Sequence, residues 1–368
     1  MRVLTIEPYF GLSHRSFLEG YKRYSKHDVT IWPLPARKWK WRMRGSAYHF
    51  AEVARALPES ESFDVLLVSD FLNLPDFLSI APRRFNEIPR VAYFHENQIT
   101  YPLGENAPVE HHYGWINLST ALAADRVLFN SYYHRSEFLR EVEAVLDRMP
   151  DHVPEDLVVE LERKSRIFPV GMDFAEHDDA IKTIERRKNT VPKILWNHRW
   201  EYDKGPETFF RTMIELREDG LPFRLVVCGQ SFKKFPEIFT ESKQVLADRI
   251  DHFGFFPEYR SYLENIAACD IVVSTAVHEF FGVSVLDAIY AGCLPVLPRR
   301  LSYPEMIPPH LHPLFLYDRD EDLKEFLRAF LAKPPEEYRD ELRESAATCD
   351  WRNLASDLDR ELEALVGS

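Results

Sequence analysis

Short β-rich runs alternate with longer helical stretches along almost the whole chain. Nothing else constrains the fold as strongly, because this alternation is the pattern of parallel sheets built from strand-helix-strand units. The first half offers Val3 to Glu7, Val29 to Trp32, Asp64 to Ser69, Arg90 to His95, Arg126 to Asn130 and Arg166 to Val170. A second series follows, with Lys193 to Asn197, Phe223 to Cys228, Asp251 to Gly254, Asp270 to Ser274 and Leu294 to Leu297. With 368 residues and 45% hydrophobic content there is material for two cores. The expectation is an α/β protein of two Rossmann-like, doubly wound domains at 1–172 and 193–349, joined by a polar linker at 173–192. Trp351 to Val366 reads as an acidic amphipathic helix, and the segment from about 350 to 368 is a candidate to pack back on the first domain. Doubly wound sheets bind ligands beyond the carboxyl ends of their strands, so two such domains are expected to face each other across a deep cleft.

The residues at those strand ends carry the chemistry. His278-Glu279-Phe280-Phe281-Gly282 follows the strand run Ile271 to Ser274, and Gly282 opens a helical pattern in which Val283, Val285, Leu286, Ala288 and Ile289 are apolar. A second acid, Asp287, stands eight residues after Glu279. Free amides and the macrodipole at such a helix start favour a diphosphate, and the two acids offer acceptors for sugar and ribose hydroxyls. After the run ending at Asn197, His198-Arg199-Trp200-Glu201-Tyr202-Asp203-Lys204-Gly205 brings two cations to a strand-end loop. Arg grips phosphate oxygens in a fork and Lys adds a point charge. In the first half, Tyr93-Phe94-His95-Glu96-Asn97-Gln98 puts a histidine and three polar groups at a strand end, and Gly11-Leu12-Ser13-His14 supplies a turn before a helix. Each of these has a plain structural reading as well: a solvated helix, a solvated loop, a satisfied histidine at a strand edge, a common glycine turn.

Cys228, Cys269, Cys293 and Cys349 lack the close pairing of a zinc site or disulfide framework. Met1-Arg2 runs directly into an apolar strand without a leader pattern, and no apolar run approaches the roughly 20 residues of a bilayer span. A cytoplasmic protein with no membrane partner is expected. The formal net charge of -13 argues against a uniformly basic nucleic-acid surface. One local exception is Arg37-Lys38-Trp39-Lys40-Trp41-Arg42-Met43-Arg44, with five cations and two tryptophans in eight residues. Such a tract is either a solvated loop with its tryptophans tucked into the core or a place where Arg and Lys meet phosphates and unpaired bases stack on Trp.

Together, Gly11, His95, Arg199 with Lys204, and Glu279 with Asp287 resemble the motif set of the retaining GT-B glycosyltransferases of family 4. Within that superfamily the tracts Ala36 to Arg42, Tyr93 to Gln98, Pro150-Asp151-His152, His198 to Glu201, Tyr290-Ala291-Gly292-Cys293 and Tyr303-Pro304-Glu305 resemble the tRNA-queuosine mannosyltransferase family. The resemblance implies transfer of an α-mannosyl group from GDP-mannose to a cyclopentene hydroxyl of queuosine in the tRNA anticodon. It implies catalytic roles for His95, Glu279, Arg199 and Lys204. Donor contacts would come from Gly11, His14, Arg199, Lys204, Glu279, Phe280, Phe281, Gly282, Val283 and Asp287, with Glu279 on the sugar, Asp287 on the ribose and the two cations on the diphosphate. Contacts to tRNA would come from Arg37, Lys38, Trp39, Lys40, Trp41, Arg42 and Arg44, with Glu96, Asn97 and Gln98. No cofactor or metal is expected, in keeping with the lack of an Asp-x-Asp triplet near the strand ends above. Asp287 stands where the superfamily usually has Glu, and His198 where it commonly has glycine. The residues by themselves leave open another nucleotide sugar with a glycan, lipid or small-molecule acceptor, a non-catalytic nucleotide-sugar or RNA-binding protein, and a nucleotide-sugar epimerase or hydrolase.

Overall fold

Val3 to Ile6 are buried without a break, which is what a parallel strand covered by helices on both faces requires. A computed structural model describes residues 1–100, 111–183, 189–231 and 235–367. The chain divides into one unit of Met1–Asp173 with Cys349–Ser368 and a second of Phe174–Thr348.

In the first unit six parallel strands, β1 (Arg2–Phe10), β2 (Asp28–Pro35), β3 (Val65–Ser69), β4 (Arg90–Phe94), β5 (Arg126–Phe129) and β6 (Ser165–Ile167), lie in the order β2-β1-β3-β4-β5-β6. The winding reverses between β1 and β3. Loops leaving these neighbours turn to opposite faces, and a crevice opens at their carboxyl ends. The second unit contains β7 (Lys193–Asn197), β8 (Arg224–Cys228), β9 (Ile250–Gly254), β10 (Ile271–Val273), β11 (Leu294–Pro298) and β12 (Leu316–Tyr317), in the order β12-β11-β10-β7-β8-β9. Here the reversal falls between β7 and β10. Eleven of these strands match the runs read from the sequence. β12, only two residues long, carries too little pattern to be read.

The C-terminal helix Trp351–Val366 belongs to the first unit. Asp350 caps it, its carboxylate accepting from the Arg352 amide at 2.8 Å. Trp351 is fully buried in a socket whose floor is Gly20 and Gly171, where any added Cβ would strike the indole. Tyr21 then donates to Asp359 at 2.9 Å from the helix Leu12–Tyr24.

The expected linker at 173–192 differs from what the structure shows. Ala175–Thr183 is an α-helix of the second unit. Phe174 stacks on Tyr290 at 3.7 Å, and His177 and Ala180 are buried. The segment is polar because its anchor is a histidine bonded to an acid, which hydrophobic patterning does not register. Residues 184–188 lie outside the described residues.

Candidate functional site

At the first unit's reversal point, β1 delivers Glu7, β3 ends in Ser69 and is followed by Asp70, and β4 is followed by His95. Glu7 is 1% exposed. Its carboxylate accepts from the Tyr9 amide at 2.7 Å, the Ser69 hydroxyl at 3.0 Å and His14 Nδ1 at 3.0 Å. The His14 ring stacks on His95 with centroids 3.8 Å apart. Burial alone would favour neutral His14, but the charge and hydrogen bond of Glu7, with Asp70 and Glu96 behind it, lift its pKa to about 9. His95 moves the other way, held well below the ordinary imidazole value by burial and then by the charges of His14 and His134. Asp70 accepts from the His95 amide at 2.9 Å, and burial raises its pKa well above the usual carboxylate range. The outcome is a charged imidazole lying flat on a neutral one.

Glu7, His14 and His95 bring possible ligand atoms within 4.8 Å of one another, the only such group among the described residues. An imidazole lone pair lies in the plane of its ring. These two planes are stacked, 28° from parallel.

The other first-unit residues singled out from the sequence divide into surface and scaffold. Gly11 precedes the Leu12 helix in extended backbone, and a Cβ there would sit 2.5 Å from Ala36 Cβ. Asn97 is fully buried, its side-chain oxygen accepting from the amides of Ile99 and Thr100 at 3.0 and 2.9 Å. That oxygen organises its own loop, while the buried side-chain nitrogen has no hydrogen-bond partner among the described residues. Glu96 accepts from the Gln98 side chain at 3.0 Å, and both are half-buried. The basic tract is not a loop throughout. Lys38 is the left-handed N-cap of an 18-residue helix, Trp39–Ala56, with Arg37 before it and Lys40, Trp41, Arg42 and Arg44 in its opening turns. Trp39 packs half-buried against Met43, Phe71 and Tyr113 and braces the helix. Trp41 is 63% exposed.

In the second unit the loops after β7 and β10 are laced together at the reversal point. Thr275 donates to the carbonyls of Lys204 and Gly205 at 3.0 and 2.9 Å, and the Val277 amide donates to the Asp203 carbonyl at 2.9 Å. Lys204 and Glu279 thereby meet. Lys204 is 6% exposed, and its ammonium lies 2.8 Å from the His278 carbonyl, 3.3 Å from Glu279 and 3.1 Å from Asp203. Burial opposes its charge, yet Glu279 and Asp203 raise its pKa above the ordinary lysine value. Burial likewise opposes the charge of Glu279, and Lys204 with His198 outweighs it and lowers that pKa. His198 and His278 are both pushed down to about 4, by burial and then by Lys204. Arg199 is half-exposed and pairs with Glu201 at 3.2 Å.

Gly282, at φ 92, begins the helix Val283–Tyr290 in left-handed backbone, with Met306, Tyr303 and Glu279 packed where a Cβ would point. Val283 opens that helix, whose first-turn amides lack intrahelical acceptors. Phe280 and Phe281 are buried at 5% and 9%. Asp287 differs most from expectation. Its carboxylate accepts from His177 Nε2 at 2.9 Å and lies 3.4 Å from the Tyr262 hydroxyl, and the residue is 5% exposed. One methylene shorter than Glu, it braces the Ala175 and Tyr259 helices from within, which leaves only spare lone pairs for a ribose. An Asp-x-Asp triplet does follow β12, but that strand lies at the sheet edge and Asp318 and Asp320 pair with Arg299 at 2.6 Å and Arg300 at 2.9 Å. Sequence reading overlooked Glu7, Asp70, Asp203 and His177. The one signal available for the first was an acid at the end of an otherwise apolar strand.

Two Rossmann-like units, each with polar groups gathered at its reversal point, define a GT-B glycosyltransferase. Residues 178–348 match the family described as glycosyl transferases group 1. The fold is similar to that of sucrose-phosphate synthase from Thermosynechococcus elongatus, with a TM-score of 0.74, 14% identity and full coverage of both chains. Anabaena HepE in complex with UDP and glucose is similar too, with a TM-score of 0.66, 14% identity and coverage of 99% of this chain and 100% of that one. Residues 2–172 match the family described as tRNA-queuosine alpha-mannosyltransferase N-terminal. The tRNA-queuosine alpha-mannosyltransferase of Drosophila melanogaster is 36% identical over 312 residues, 83% of this chain and 81% of the relative. A GDP-mannose-dependent alpha-(1-6)-phosphatidylinositol dimannoside mannosyltransferase of Mycobacterium tuberculosis is 22% identical over 54% of this chain and 52% of its own. This chain belongs to the tRNA-queuosine alpha-mannosyltransferase family. Among the described residues no helix is long and apolar enough to cross a membrane.

Proposed function

We propose that the enzyme transfers an α-mannosyl group from GDP-mannose to a hydroxyl of queuosine in tRNA, with retention at the anomeric carbon. The observation that carries this reading is the family match through residues 2–172, joined to a relative of that activity aligned over most of the chain. The GDP-mannose dependence in the name of the mycobacterial relative supports the donor.

The bond between anomeric carbon and phosphate oxygen breaks, and its electrons leave with GDP. The acceptor hydroxyl bonds to that carbon on the same face and passes its proton to the departing phosphate. Negative charge therefore grows on the diphosphate, where Lys204, Arg199 and the amides that open the Val283 helix stabilise it most in the transition state. Glu279 accepts from sugar hydroxyls. Within the first unit, His95 is held neutral and His14 charged. The cations placed to neutralise the leaving group are side chains, so treatment with a chelator is expected to leave the rate unchanged.

The test offers GDP-mannose, GDP-glucose, UDP-glucose and UDP-galactose with tRNA that carries or lacks queuosine, and reads the nucleosides by mass. A gain of one hexose on queuosine from GDP-mannose is expected, lost in Glu279→Ala, Arg199→Ala and Lys204→Ala. Hexose gain from another donor, or on tRNA without queuosine, refutes the assignment.

A further inference from the structure

A glycine in a helix interior is destabilising relative to alanine, and a tryptophan left in water forfeits its burial. Gly45 and Trp41 combine both penalties. Gly45 is buried inside the Trp39–Ala56 helix because the indole of Trp41 lies back across it, and an added Cβ would come within 2.7 Å of the ring. The opposite ring face looks outward, and Trp41 is 63% exposed. Two further side chains continue its line at spacings of three and four residues, which share a helix face. The first is Arg44, whose guanidinium is held by His112 at 2.7 Å and lies 5.0 Å from the centre of the Tyr113 ring. The second is Tyr48, 52% exposed, about 10 Å from Trp41 along the axis at 1.5 Å per residue.

The charge around this aromatic line is one-sided. Arg37, Lys38, Lys40, Arg42 and Arg44 cluster at the start of the helix, whose first turn holds no acid, in a chain of net charge -13. The positive end of the helix dipole adds to the same sign. Repulsion of this kind suits a polyanion with exposed aromatic faces, which describes single-stranded RNA.

We propose that Trp41, laid flat on Gly45 and flanked by Arg44 and Tyr48, is a stacking platform for unpaired bases of the acceptor RNA. The proposal rests on the reading of the acceptor as tRNA. It assigns base stacking to Trp41 alone of the two tryptophans, and it gives Gly45 the task of setting the ring flat.

The experiment measures binding of queuosine-containing tRNA over a range of salt concentrations for the wild-type enzyme and for Trp41→Ala, Trp41→Phe, Gly45→Ala and Arg42→Gln, with melting curves for each. Trp41→Ala should weaken binding about tenfold or more at an unchanged salt slope, because stacking releases no counterions, and Trp41→Phe should retain most of the affinity. Arg42→Gln should lower the slope. Gly45→Ala should melt no earlier than wild type and still bind more weakly. Affinity within about twofold of wild type in Trp41→Ala, or a loss there that comes with a reduced slope, overturns the platform. If the wild-type enzyme adds no hexose to this RNA, the acceptor reading falls first. If it does and Trp41→Ala binds normally, only the platform falls.

Discussion

Glu7→Gln isolates the charge that fixes the stacked histidine pair. Glutamine keeps an oxygen for the Tyr9 amide and the Ser69 hydroxyl, so the loop geometry survives while the negative charge beside His14 is removed. In the wild type His14 rises from 6.5 to about 9. At 1.36 kcal/mol per unit this is about 3 kcal/mol of differential interaction, and the residue is only 6% exposed, so little screening applies. The sign follows from linkage. A folded pKa above the unfolded one means the contribution is complete below pH 6.5 and is lost as pH rises towards about 9. His198 and His278 act in reverse, since a folded pKa of about 4 gives stability present above 6.5 and lost as pH falls through about 4. Stability should therefore peak near neutrality. Histidine NMR titration, with His14 assigned by substitution, should place its midpoint near 9 in the wild type. In Glu7→Gln the midpoint should drop towards the free-imidazole range, because burial then meets only the more distant Asp70 and Glu96. Urea denaturation should show the alkaline decline of the wild type flattened in the variant. A His14 that titrates like free imidazole in the wild type, or one unmoved by Glu7→Gln, refutes the reasoning.

Lys204→Met leaves Glu279 and Asp203 facing each other without a cation, and should cost about 3 kcal/mol in urea denaturation. Adding Glu279→Gln should recover part of that loss, whereas an additive double variant would mean the pair does not interact. His177→Phe removes the partner of buried Asp287 and should cost about 2 kcal/mol. Equal stability of variant and wild type would remove the brace. Gly282→Ala places a Cβ in left-handed backbone 2.7 Å from Met306 Cε, and should cost about 1–2 kcal/mol while weakening GDP binding, as read by calorimetry.

The alternation of strands and helices was legible because it is local: each run carries its own periodicity. Sheet order is not local. Lys204 and Glu279, on loops 75 residues apart, meet only because β7 and β10 are neighbours, a fact settled by the winding of the whole unit. Trp39 and Trp41 show the same limit within one helix. Two residues apart at 100° per residue, they point to nearly opposite sides, and which one enters the core depends on where Phe71 and Tyr113 stand. The Ala175 helix escaped notice because its burial runs through His177 and Asp287. A buried polar pair reads in sequence as two surface residues. Glu7 and Asp70 were hidden likewise, since burial of a carboxylate becomes tolerable only when its hydrogen-bond donors arrive from other strands.

The ion pair at the second unit's reversal point constrains how the proposed donor enters. Lys204 is buried, and its charge is sustained by two carboxylates and the His278 carbonyl. Breaking such a pair without replacement costs about 3–5 kcal/mol. A diphosphate approaching Lys204 also brings negative charge up to Asp203 and Glu279. Both costs fall together if Glu279 turns from the ammonium to sugar hydroxyls as the phosphates take its place, since the cation keeps an anionic partner and the carboxylate keeps its donors. The exchange needs both halves of the ligand. GDP without the sugar leaves Glu279 with nothing to accept from, and free mannose leaves Lys204 without its new anion. Intact GDP-mannose should therefore bind more tightly than the separate affinities of GDP and mannose combine to give, and Glu279→Gln should erase that excess while strengthening GDP itself.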